Sequence, residues 1–219
     1  MKLDRLLLCR PRRAGFTLIE LLTVILILSI LAAVLVTQLR DSEQASRVQL
    51  TTQLLAKLEA AIRSYQNDEG GCPASSFSAA QEVSNDGENV GIEALVVALW
   101  SKKYEAGGLL EDERDKLVNV DGDSAPKQLT DFATRELLEI PDSWDNPVAY
   151  IERADYGVGS RVYLTLDNDT GEELRSTPTA YKNPRTGQYF QAQTFQLISA
   201  GPDARFGTED DITTFDREP

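Results

Sequence analysis

One carboxylate, Glu20, stands inside an otherwise uncharged apolar run, and three more, Asp203, Asp210 and Asp211, crowd a short segment near the C-terminus. The run FTLIELLTVILILSILAAVLVTQL fills positions 16–39, twenty-four residues in all. A carboxylate in such a setting costs roughly 2.5–3.5 kcal/mol on membrane-insertion scales. It is tolerable in a low-dielectric helix bundle only where a cation meets it, so Glu20 needs a partner. At the other end, three carboxylates held close repel one another unless a cation lies between them; a solvated acidic turn that binds nothing is the plainer alternative. Other chemistries are thinly represented. The chain has no histidine, which removes the commonest general base and metal-binding nitrogen. It also lacks a GxSxG turn, a P-loop and any cysteine pair at metal-ligand spacing, so no catalytic residues and no enzyme activity are expected.

The elements that must hold these residues follow from hydropathy and charge. At ~1.5 Å rise per residue the apolar run is long enough to cross a hydrocarbon core of ~30 Å, and it is read as a membrane span. It exceeds the ~7–15 apolar residues of an ordinary secretory signal. Five cations against Asp4 alone give residues 1–15 a charge of +4, which leaves −17 for the remainder of a chain whose net charge is −13. The basic flank predicts a cytoplasmic N-terminus and a translocated C-terminal body. That acidic body argues against nucleic-acid binding. Beyond Arg40 a helical pattern continues without Gly or Pro, with Val48, Leu54, Leu55, Leu58, Ile62 and Tyr65 at three- and four-residue spacing. One helix over 17–67 is predicted, the first half in lipid and the second on a head. Residues 74–90 read as a loop and 92–104 as a second helix. An acidic helical piece, a Val118–Asp123 turn and a further helix over 131–138 complete an insertion spanning 74–140. From 141 onward, PDSWDNPVAYIER, SRVYLTL and QYFQAQTFQLISA read as strands of one antiparallel meander. The predicted class is therefore α+β, a long N-terminal helix packed on a small antiparallel sheet, with a helical insertion. Trp144 is expected to anchor the core, Cys72 to be buried or half-buried, and the Asp121/Asp123 and Asp167/Asp169 pairs to be turns.

Two segments carry a resemblance. Arg12-Arg13-Ala14-Gly15 followed by Phe16-Thr17-Leu18-Ile19-Glu20 resembles the prepilin peptidase signal of type IV pilins and type II secretion pseudopilins. The resemblance implies a leader over 1–15, cleavage between Gly15 and Phe16, N-methylation of Phe16, and a Glu20 that faces the amino terminus of a neighbouring subunit during assembly. The assembly helix would be 16–40 and the head 41–219. The cut would remove Cys9 and leave Cys72 without a disulfide partner. Many pilins carry a proline where Thr37 stands, so a kink there is not implied. Trp144-Asp145-Asn146-Pro147 with Tyr150 resembles the W-G-x-P-x-x-Y strand of the major pseudopilin, with Asp145 in place of glycine. Finally, Leu197-Ile198-Ser199-Ala200-Gly201-Pro202-Asp203 leading into Gly207-Thr208-Glu209-Asp210-Asp211-Ile212 looks like the calcium loop of major pseudopilins. By that match Asp203, Asp210 and Asp211 are the side-chain ligands, with Leu197 and Ser199 offering oxygens; calcium takes about six to eight oxygens at ~2.3–2.6 Å.

The resemblance covers about 10–73 and 141–213. It implies a pseudopilus subunit of the inner membrane with a periplasmic or extracellular head. Its partners would be prepilin peptidase, other pseudopilins in a filament, and inner-membrane components of the secretion machine. A type IV pilin or DNA-uptake pseudopilin, and a membrane-anchored binding module that borrows the leader, stay open as alternatives.

Overall fold

Thr17 starts the first helix. Its backbone N–H and its hydroxyl both donate to Glu20 Oε2, at 2.8 and 2.7 Å, and its hydroxyl accepts from the Glu20 N–H at 3.3 Å. This is a capping box, which satisfies donors that a helix N-terminus leaves open. Helix α1 (Leu18–Glu69) then runs 52 residues and stops at Gly70, whose φ of +80° suits a left-handed helix end. The computed structural model describes residues 16–83, 87–101, 109–158 and 161–217; the expected leader, with Gly15 and Cys9, lies outside the described residues. The chain divides into two units, Met1–Glu43 and Gln44–Pro219.

Among the described residues of the first unit the apolar side chains are exposed, Leu22 at 59%, Ile25 at 55% and Leu31 at 61%. The helix is long and apolar enough to cross a membrane. Its polar residues are spent on their own backbone: Thr23, Ser29 and Thr37 hydroxyls donate to Ile19, Ile25 and Val34 carbonyls at 2.7, 2.8 and 2.9 Å. Lipid offers no other partner, so these bonds suit a bilayer. The helix is continuous through Thr37.

In the second unit Leu55, Leu58, Ala61 and Ile62 of α1 enter a core with α2 (Val90–Leu99) and two sheets. The first sheet has β1 (Ala149–Glu152), β4 (Phe195–Ser199) and β5 (Ile212–Thr213) in the order β1-β4-β5; the second pairs β2 (Tyr163–Leu166) with β3 (Glu173–Ser176). Within both sheets the strands pair antiparallel. The α+β class holds, but the single meander expected from sequence is replaced by two sheets, because β1 skips its sequence neighbour and pairs with β4, Tyr150 opposite Leu197. β4 is buried along its whole length. Both of its faces are therefore covered, which is why its burial shows no two-residue alternation.

The insertion is less helical than expected. α2 begins at Val90 and ends at Leu99, short of the predicted 104, and residues 102–108 lie outside the described residues. The acidic piece is a 3₁₀ turn over Glu111–Lys116, tied to α1 by Lys57 Nζ at 2.5 Å from Asp112 and 2.8 Å from Glu113. Residues 131–138 form no helix: 131–133 are bends, and bridges Ser124↔Glu136 and Val118↔Glu139 hold the end of the stretch. Trp144 is 6% exposed and its Nε1 donates to Gln44 at 3.2 Å. Asp145 has φ +64°, a left-handed conformation that glycine adopts most readily. Cys72 is half-buried and free.

Candidate functional site

At the helix start, Phe16 is 77% exposed. Glu20 is also exposed and meets no cation within its own chain among the described residues; its recorded partner is Thr17. One carboxylate oxygen, Oε2, takes both Thr17 bonds, which orients the group toward the helix N-terminus, where a new amino terminus on Phe16 would lie one residue before the cap. The sequence contained the signal for this, Thr-x-x-Glu.

The C-terminal loop leaves β4, turns at Gly201–Asp203 and returns to β5. Gly201 permits a close approach: a Cβ there would strike the Asp210 carbonyl. Asp211 is 5% exposed. Its Oδ2 accepts from Tyr181 Oη and from the Gly207 N–H at 2.8 Å, while its Oδ1 is buried and accepts no hydrogen bond among the described residues. Burial, aided by the Asp203 charge, pushes this carboxyl above the ordinary range. Asp203 is half-buried, with Oδ1 accepting from the Arg205 N–H at 2.9 Å; Asp210 is exposed. Ser199 is fully buried, its hydroxyl donating to Asp142 at 2.6 Å and accepting from the Gly201 N–H at 3.1 Å. Leu197 lies inside the β1–β4 ladder. The structure does not gather Asp203, Asp210 and Asp211 within 4.8 Å of one another, and it commits the Ser199 hydroxyl to Asp142. Among the described residues, Asp211 Oδ1 is a buried oxygen that no donor meets.

A second acidic group was not legible in the sequence. Glu93 of α2, Asp121 and Glu139 each offer an oxygen, all within 4.8 Å of one another. Glu93 and Glu139 have no exposed surface. Asn89, which starts α2 with φ +50°, donates to Glu139 Oε1 at 3.0 Å and to Asp121 Oδ2 at 3.4 Å, and its carbonyl accepts from the Leu164 N–H at 3.0 Å. The Val120 N–H donates to the other Glu139 oxygen at 3.1 Å. Burial first, and the Asp121 charge second, push Glu139 up to about 8. The Asp121/Asp123 pair does lie in a turn, with Asn119 Oδ1 accepting from the Gly122 and Asp123 N–H groups. Its proximity to Glu93 and Glu139 comes from tertiary folding alone.

Comparison with known proteins decides what the helix start is. Residues 10–36 match the family model described as the prokaryotic N-terminal methylation motif. The chain carries a type IV pilin-like leader. No curated protein and no solved structure matches it. A pilin-like leader marks a chain for prepilin peptidase and for filament assembly, and the apolar helix behind it anchors the chain in a membrane. The matched segment contains Gly15, Phe16 and Glu20.

Proposed function

We propose that this chain is a structural subunit of a type II secretion pseudopilus. It is cut after Gly15, methylated on Phe16 and polymerised through its N-terminal helix to support protein export. The observation that carries the reading is the pilin-like leader joined to an exposed apolar helix whose sole charge over 16–39 is Glu20. An exposed apolar surface of that extent needs lipid before assembly and other helices after it. On leaving the bilayer the Glu20 carboxylate is exchanged from its Thr17 cap to the Phe16 ammonium of a neighbour, which sets the register between subunits. The N-terminus is cytoplasmic and the head lies across the inner membrane, following the basic flank.

The same reading assigns calcium to the C-terminal loop. Asp203 and Asp211 would hold it, with Asp210 at the open side, and the buried Asp211 Oδ1 is the supporting observation. The bound ion would neutralise carboxylates that burial and mutual repulsion otherwise disfavour.

Two substitutions test the assembly role. Gly15→Ala is expected to leave uncut, full-length protein, and Glu20→Ala to give processed protein with few cross-linked oligomers. Normal processing and normal oligomers in both would leave a simple membrane anchor. Calorimetry of the purified chain with and without calcium tests the metal separately.

A further inference from the structure

The C-terminal loop already contains a cation. Arg217, beyond β5, folds back onto it: Nη1 donates to the Thr208 carbonyl at 2.9 Å and to Tyr181 Oη at 3.1 Å. Nη2 donates to the Glu209 carbonyl at 2.7 Å and the Asp211 carbonyl at 2.6 Å. The guanidinium carbon lies 5.0 Å from the centre of the Tyr181 ring. Three carbonyls from four consecutive residues therefore converge on one planar charge. A guanidinium presents five N–H donors in a fixed fork, so it can serve several acceptors at once, whereas an ammonium is a point charge.

The surroundings fix the arginine in turn. Tyr181 Oη donates a hydrogen bond to Asp211 Oδ2, and its backbone is clamped by Gln196 of β4, which accepts from the Tyr181 N–H at 2.7 Å and donates to its carbonyl at 2.9 Å. Phe215, two residues before Arg217, stacks on Phe190 at 4.8 Å. Tail, loop and central strand are joined through one side chain.

We propose that Arg217 is an internal cation that keeps the 201–211 loop closed when no metal is bound. Loop order is then a property of the chain, and a divalent ion adds to a closed loop instead of folding an open one. The claim concerns the backbone carbonyls, whereas the calcium assignment concerns the Asp203 and Asp211 carboxylates, so the two can fail independently.

Hydrogen exchange of the full chain in detergent with excess EDTA tests it, reading the amides of 201–211 against those of β1 and β4 as a control for global folding. The wild type is expected to show a protected loop in EDTA. Arg217→Ala should make loop amides exchange about tenfold faster or more, and Arg217→Lys should recover part of that protection, with β1 and β4 unchanged in the lysine variant. Loop protection equal in wild type and Arg217→Ala would overturn the proposal. So would a wild-type loop that is open in EDTA and closes only on adding calcium. A closed wild-type loop that calcium leaves unchanged supports Arg217 and counts against the calcium assignment.

Discussion

Glu139 has no exposed surface and lies within 4.8 Å of two other carboxylates. Its two oxygens accept from Asn89 and Val120, donors too weak to offset burial and the Asp121 charge, and the group is pushed up to about 8. A carboxyl raised in the folded state binds its proton more tightly there than when unfolded, so its effect is fully favourable below its unfolded value of 4.5. Stability from this group falls as pH rises from about 4.5 through about 8 and is flat above. On that basis the wild type should lose on the order of 3–5 kcal/mol across the window, and Glu139→Gln should flatten the slope. Urea melts at a series of pH values would show it; parallel slopes in wild type and variant would remove Glu139 from the account. None of this was legible in the sequence, where Glu93, Asp121 and Glu139 are separated by intervals that match no ligand spacing. Glu20 was legible, because an apolar run makes one charge conspicuous. Arg217 was not, because its meaning depends on carbonyls, which every residue carries.

Elements differed in legibility for a physical reason. α1 announces itself through a long uninterrupted period and ends at a Gly-Gly-Cys-Pro break, so its bounds were read within two residues. The stretch over 131–138 was misread as helical because its charged residues are compatible with either form. In the structure 131–133 are bends, and the end of the stretch is held by bridges from Glu136 to Ser124 and from Glu139 to Val118. Those partners lie elsewhere in the sequence, and tertiary pairing outweighs local propensity in so short a piece. At α2 the deciding contact is equally remote. Gly91 lies where the helix meets β1 and β2, and a Cβ there would collide with the Tyr150 carbonyl and Tyr163 Oη. Gly91→Ala should therefore destabilise the head by roughly 1–3 kcal/mol, despite alanine's better helix propensity. A thermal melt reads the sign directly; stabilisation by alanine would mean that α2 can shift away from β1 without loss.

For the whole molecule, the division between the two units predicts how far the head depends on its anchor. Among the described residues, buried side chains begin at Thr51, and no buried one lies in the first unit. The exposed apolar surface of that unit contributes nothing to the core and favours lipid or aggregation in water. A chain consisting of residues 44–219 is expected to stay soluble, to fractionate away from membranes and to be excluded from filaments. Its melting temperature should match that of the full chain in detergent within about 2 °C, because every buried core residue is retained. The anchor then acts on where the head is and on what it polymerises with, not on whether it folds. A truncated chain that aggregates, or that melts well below the full chain, would show that residues before Gln44 complete the head, and assembly and folding would no longer be separable by cutting there.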